Sequence, residues 1–257
     1  MLSNIASLIS GIAIGAVAVY FLQKRQDKIM GKNSLTIEAI IHELKTPLTA
    51  LSWIFVSLSG LKAGDIINND IGELLKEGKK KIGNALELTN DALFALNTSS
   101  DYTTYKFFPN NLTTVINKVI EENSLGAREK SINVVFDQNI YVPPFKFDEI
   151  KLTLAIRNLV NNAIKYTHQG GKVTIATTIE NNTAVISVLD TGIGIPALDV
   201  NKVSNKFYRA HNIGDITGSG LGLYIVKNIV AGHGGRIDIQ SSEGKGTKVT
   251  IFLPLKK

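Results

Sequence analysis

The sequence contains no cysteine. Disulfides, thiolate metal sites and cysteine nucleophiles are therefore excluded together, and any chemistry must come from other side chains. No GxxxxGKS or GxxxxGKT stretch occurs, which rules out a Walker-type phosphate loop, and no dinucleotide fingerprint opens a helix directly after a strand. Lys and Arg outnumber Asp and Glu by 28 to 22, a net charge of +6, yet no basic run is interleaved with aromatics. That scatter argues against nucleic acid as a partner. Charge is also missing from Leu2 to Gln23. What remains is globular in composition: 257 residues, 44% hydrophobic and 19% charged, with room for one large or two ordinary domains.

The uncharged stretch contains IASLISGIAIGAVAVYFL. About 20 apolar residues at ~1.5 Å rise cross a hydrocarbon core of roughly 30 Å, so residues 1–23 are expected to form a transmembrane helix. Lys24, Arg25, Lys28 and Lys32 follow in a linker over 24–36, and nothing basic precedes the span. The positive-inside rule then puts the rest of the chain in the cytoplasm, giving a single-pass protein of the cell membrane. A cleaved signal peptide is the competing reading, since Ala16-Val17-Ala18 resembles a cleavage site, but the charge lies on the wrong side. Ser7, Gly11 and Gly15 are spaced by four, a pattern of closely packed membrane helices and also of membrane helices in general.

Beyond the linker, Ile37, Ile41, Leu44, Leu48, Leu51, Phe55 and Leu58 alternate spacings of four and three, a heptad seam. SGLKAGD at 59–65 reads as a turn. Ile71, Leu75, Ile82, Leu86, Leu93 and Leu96 form a second stripe, weakened as a helix by Gly72, Gly78 and Gly83. Residues 37–98 therefore predict an antiparallel helical hairpin that dimerises into a four-helix bundle. In this register His42 sits one step off the seam, exposed, with Thr46 on its face and Lys45 on its side. A solvated surface histidine remains the alternative. Pro47 loosens the helix just beyond.

From about residue 105 to 257 the pattern becomes mixed. Strands are expected at SINVVF, KVTIATTIE, TAVISVLD, GRIDIQS and TKVTIFLP, with helices around 111–125, 149–165 and 219–231. This order predicts an α/β sandwich. Three constellations in it carry chemistry. NLVNNAIKYT (158–167) puts Asn158 and Asn162 on one helical face, where carboxamide oxygens would suit a hard cation such as magnesium; paired asparagines also simply cap or solvate. DTGIGIP (190–196) ends a strand with Asp190, a carboxylate able to accept a base amino group, and turns on Gly192 and Gly194. GSGLGL (218–223) opens a helix whose amino end suits phosphate. The polar segment 199–217, with Lys206 and Arg209, is expected to form a mobile lid. Each glycine cluster alone could be a plain loop.

Taken in order, these motifs resemble those of membrane sensor histidine kinases of two-component signalling, over about residues 33–255. HELKTPLTA is similar to the family's H box, NLVNNAIKYT to its N box, DTGIGIP to its G1 box, KFYRAH to its F box, GSGLGL to its G2 box and GKGT (244–247) to its G3 segment. The resemblance implies a HisKA dimerisation and phosphotransfer domain followed by a Bergerat-type (GHKL) ATP-binding domain. It implies that His42 accepts the γ-phosphoryl group of ATP, with Glu43 as its acid/base neighbour. Asn162, assisted by Asn158, would hold Mg2+, and Lys165 and Arg209 would contact phosphates. Tyr166 would stack near the adenine and Asp190 would take its amino group. Gly192, Gly194, Lys206, Gly218, Gly220, Leu221, Gly222 and Thr247 would complete the nucleotide site.

The resemblance further implies a response regulator receiver domain as partner, a homodimer, a hinge at 97–105, and a phosphatase activity using Thr46. No sensor or receiver module is legible, so the expected signal input is the span itself or a separate protein. Two other readings stay open: an ATPase switch of the gyrase type, and a nucleotide-binding scaffold that does not phosphorylate.

Overall fold

A computed structural model describes residues 104–138, 140–214, 216 and 218–255, together with 48–51, 53, 54, 72, 77, 78, 81–83, 85 and 89 of the preceding part. The expected transmembrane helix over 1–23, the linker over 24–36, the residues His42, Glu43, Thr46 and Pro47, the turn at 59–65 and the hinge up to 103 all lie outside the described residues. Among the described residues no helix is long and apolar enough to cross a membrane. Residues 48–51, 53 and 54 are helical, as are 72, 77, 78, 81–83, 85 and 89. The two stretches meet where Ile54, 8% exposed, packs against the bare backbone of Gly78. The expected seam residue Leu48 is exposed in the single chain.

The carboxy-terminal unit runs β1 (Phe108–Asn110), α1 (Leu112–Glu129), β2 (Asn133–Asp137), β3 (Phe145–Phe147), α2 (Glu149–Tyr166), β4 (Lys172–Glu180), β5 (Thr183–Asp190), α3 (Ala197–Val200), a single 3-10 turn (His211–Ile213), α4 (Gly222–Gly232), β6 (Arg236–Ser242) and β7 (Gly246–Pro254). Five strands form one sheet in the order β2-β4-β5-β7-β6; β2 and β4 are parallel and the other pairs antiparallel. The short strands β1 and β3 pair separately. Sequence alternation does not reveal these two, because three residues are too few to show a period of two.

Side chains alternate across a strand, and one face of this sheet is closed by helices. Val173, Ile175 and Thr177 of β4, Ala184, Ile186 and Val188 of β5, and Val249, Ile251 and Leu253 of β7 are buried on that face. They pack against Leu152, Ile156, Leu159 and Ala163 of α2, Val115, Ile116 and Val119 of α1, and Ile225, Val226 and Ile229 of α4. On the opposite face Leu189 is exposed. The result is the two-layer α/β sandwich expected for this region.

Helix starts follow local chemistry. Asn111 caps α1 by accepting from Thr113 N–H at 2.9 Å, and Asp148 caps α2 through Lys151 N–H at 3.0 Å. At α4 no side chain caps the amino end. Its first N–H groups, which like those of any helix have no intrahelical partners, therefore receive none from a capping side chain.

Candidate functional site

Asp190 is positioned by parity. It continues the inward series Ala184, Ile186, Val188, so the last side chain of β5 enters the helix-covered face at the edge of the core, only 8% exposed. Its Oδ1 accepts from Gly192 N–H (2.8 Å) and Thr247 N–H (3.2 Å). Burial pushes the carboxyl above its ordinary pKa, and those two backbone donors oppose the rise. The second oxygen, Oδ2, is left to receive a ligand's donor. Thr247 is fixed in turn by a 2.8 Å contact between its hydroxyl and that of Ser241.

The loop after Asp190 is clamped on both sides. Ile193 N–H donates to the Tyr166 carbonyl (3.1 Å), Gly244 N–H to the Ile193 carbonyl (2.7 Å), and Ile195 N–H to the Ser241 hydroxyl (2.8 Å). Gly194 has φ +66°, and a side chain there would run into the Ser242 carbonyl. Both facts demand glycine. Gly192 lies against the Tyr166 carbonyl, which ties the loop to the carboxyl end of α2.

Asn158 and Asn162 line the neighbouring wall. Asn158 Nδ2 donates to the Leu154 carbonyl (3.0 Å), which turns Oδ1 outward from its own helix. What it meets is the amino end of α4: a Cβ built on Gly222 would stand 2.9 Å from Asn158 Oδ1 and 3.2 Å from Asn162 Nδ2. Glycine at 222 thus lets the uncapped helix terminus approach both carboxamides. An uncapped amino terminus offers N–H groups and positive dipole to phosphate, and carboxamide oxygens are the hard donors magnesium takes alongside phosphates. The residues present fit that metal. Among the described residues no group of three or more His, Asp or Glu side chains forms a metal cage of its own.

The remaining expected residues fall around this centre. Lys165 directs its ammonium at the backbone of Gly218, 5.1 Å from the centre of the Tyr166 ring. Burial raises the Tyr166 pKa and the nearby Arg209 charge opposes the rise. Arg209 donates through Nη2 to the Ile216 carbonyl (2.6 Å), bracing the segment expected as a lid. Lys206 lies 5.7 Å from the Phe207 ring centre and 5.8 Å from that of Tyr224. Gly220 abuts the backbone of Phe207 and Tyr208, and Leu221 is fully buried at the start of α4.

Three groups were not foreseen from the sequence. Asp199 is 1% exposed and accepts from the Tyr208 hydroxyl (2.7 Å), His211 N–H (3.0 Å) and the His211 ring (2.9 Å to Nδ1). The Tyr208 bond foremost, then those of His211, hold its carboxyl far below the usual carboxylate range. Asn212 donates to the Gly194 carbonyl (3.1 Å), joining this segment to the glycine loop. Lys130 donates to carbonyls at the end of α2. An acidic residue between two apolar positions at 198–200 was the available signal for Asp199; nothing in the local sequence marks Lys130.

Residues 147–257 match the family described as histidine kinase-, DNA gyrase B- and HSP90-like ATPase. Across 252 residues, 95% of this chain, the sequence is 33% identical to sensor histidine kinase WalK of Bacillus subtilis strain 168. The chain spans 40% of that relative's length. Among solved structures it is similar to the catalytic domain of histidine kinase ThkA, at 26% identity and a TM-score of 0.53, over 59% of this chain and 97% of that one. The structure of ThkA in complex with response regulator protein TrrA matches 92% of this chain and 66% of that one, with a TM-score of 0.64. At 20% identity that second likeness is one of fold.

Proposed function

We propose, from the match of residues 147–257 to the histidine kinase-, DNA gyrase B- and HSP90-like ATPases and the 33% identity to a WalK sensor histidine kinase, that the chain is an ATP-dependent protein-histidine kinase that autophosphorylates on His42. The observation that carries the nucleotide half of this reading is the approach of Asn158 and Asn162 to the uncapped amino end of α4 at Gly222, beside a buried Asp190 with one oxygen committed and one left over.

In this reading Asp190 Oδ2 accepts the adenine amino group and Tyr166 flanks the ring. Lys165, Arg209 and the amino end of α4 draw the phosphates. Asn162 and Asn158 would hold magnesium, which supplies charge neutralisation on the phosphates when bound. The neutral imidazole of His42 attacks the γ-phosphorus, the N–P bond forming as the bond to the ADP oxygen breaks, and Glu43 orients the ring and takes its proton. An imidazole with an ordinary pKa of about 6.5 is a competent nucleophile near neutral pH. Positioning and electrostatics supply most of the catalysis in such a transfer.

The phosphoryl group then passes to an aspartate of a separate response regulator; the ThkA complex, in which a protein of this fold holds such a regulator, supports that class of partner. Thr46, four residues after His42 in the sequence, would serve the reverse activity by orienting water for dephosphorylation of the regulator. A homodimer through the helical hairpin and a membrane anchor over residues 1–23 complete the reading.

The test is incubation of the chain with γ-labelled ATP and magnesium. Wild type should take up acid-labile, base-stable label, and His42→Gln should take up none. Label retained in His42→Gln removes that residue from the mechanism, and ATP turnover without label favours the ATPase switch. Thr46→Ala should autophosphorylate normally while dephosphorylating the regulator at least about tenfold more slowly; an unchanged dephosphorylation rate ends the role given to Thr46.

A further inference from the structure

A helix leaves its last four carbonyls without intrahelical partners. At the carboxyl end of α2 each of them is accounted for. The Tyr166 carbonyl accepts from Ile193 N–H of the glycine loop. The Ile164, Lys165 and Thr167 carbonyls all accept from one group, the Lys130 ammonium, at 3.0, 2.6 and 3.4 Å. An ammonium has three protons to donate, and here three carbonyls receive them.

The chain delivers Lys130 to this point by a specific reversal. Lys130 is the residue on which α1 ends, Ser131 follows at φ 53°, and Ile132 N–H closes back on the Ala127 carbonyl at 2.8 Å. The Lys130 carbonyl accepts from Gly170 N–H at 3.0 Å, so the residue grips the α2–β4 connection with both main chain and side chain. Its positive charge stands at the negative end of the α2 dipole. Partial burial lowers its pKa.

The gripped turn carries two side chains of the candidate nucleotide site: Lys165, whose ammonium faces Gly218, and Tyr166. Small displacements of groups that hold a substrate cost affinity or rate out of proportion to their size. We propose that Lys130 is a positioning residue for the nucleotide site, holding the last turn of α2 so that Lys165 and Tyr166 stand ready for ATP. This rests on the kinase reading and adds to it a residue that touches no substrate.

The test is titration of the 257-residue chain and its variants with MgATP by calorimetry, alongside amide hydrogen exchange of the nucleotide-free forms. Lys130→Met should raise the dissociation constant about tenfold and accelerate exchange within 164–168, while Lys130→Arg, which keeps the charge and several donors, should recover most of both. In a Lys165→Met background the same Lys130→Met change should cost at most about threefold, because part of its effect passes through Lys165. Affinity unchanged in Lys130→Met overturns the proposal, and so does a full tenfold loss repeated in the Lys165→Met background. A wild-type chain that takes up no ATP overturns the kinase reading itself, an outcome distinct from normal wild-type binding with an indifferent Lys130.

Discussion

Two opposing demands meet on the Asp190 carboxyl. Burial favours its neutral form and two backbone N–H groups favour the charged one; burial prevails, and the pKa is raised. The signs follow. For the nucleotide-free fold, a raised pKa gives stability that is present in acid and lost as pH rises through the folded-state value. For a ligand that donates to an ionised Asp190 the sign is opposite, so MgATP affinity should begin to fall on acidification at a pH above the ordinary carboxylate value of about 4. Asp190→Asn keeps an oxygen for Gly192 and Thr247 but not the charge. It should weaken MgATP by about ten- to hundredfold, from the loss of a charge-assisted bond, and abolish the acid dependence. Calorimetry across pH reads both, and a mutant binding as tightly as wild type removes Asp190 from the site. The position of this residue was legible because strand parity and the following glycines are local signals. Lys130 was not, because its partners lie 34 to 37 residues away and only the packed helices bring them near.

The segment after the glycine loop was expected as a lid, and its described part is organised around one carboxylate. Asp199, at the end of α3, collects the Tyr208 hydroxyl and both the main chain and ring of His211. Arg209 closes a second loop onto the Ile216 carbonyl, and Asn212 fastens the 3-10 turn to Gly194. Asp199→Asn should release nucleotide several-fold faster and lose exchange protection at 208–211, with Asp190 and α2 unaffected. Stopped-flow displacement of bound ATP measures the first; an unchanged release rate denies the latch a role in retention. The depressed pKa of Asp199 contributes stability that is present above its unfolded value and lost only as pH falls through the lowered one. The latch should therefore persist through mild acid in which Asp190 already begins to protonate. Element by element, β4, β5 and β7 were readable from alternation, and α2 from its Asp148 cap. The α1 helix runs to Glu129, past the expected 125, and the added turn buries Ala127. The β1–β3 pair depends on a tertiary pairing that no three-residue pattern encodes.

How the amino-terminal part of the chain acts on the nucleotide unit depends on where the connecting segment is fixed. Tyr105, the last residue of the expected hinge, is packed against the backbone of Gly232 and donates to the Asn228 carbonyl at 3.3 Å, both on α4. Its ring meets that of His233 edge-on at 5.2 Å and lies beneath the Lys151 ammonium at 3.8 Å. Lys151 also donates to the Thr104 carbonyl, and Lys106 N–H donates to Asp148 Oδ2. The buried His233 completes the junction: its Nε2 accepts from Asp148 N–H, so its proton sits on Nδ1, facing the Ile229 carbonyl. Residues 104–106 are thus tied to the cap of α2, while Asn158, Asn162 and Lys165 lie further along the same 18-residue helix, about 27 Å long. Within the carboxy-terminal unit, α2 is thus gripped at its first turn by residues 104–106 and at its last by Lys130. On the kinase reading, Tyr105→Ala should leave MgATP affinity within about twofold, since the ring packs at the opposite end of α4 from Gly222, yet change the rate of His42 phosphorylation by at least about fivefold, because that reading has domain approach gate the step. Tyr105→Phe, which keeps the ring and loses only a 3.3 Å hydrogen bond, should retain most of the wild-type rate. Equal phosphorylation rates for wild type and Tyr105→Ala would mean that the linker's attachment to α2 and α4 serves the fold of the nucleotide unit alone and carries nothing between the domains.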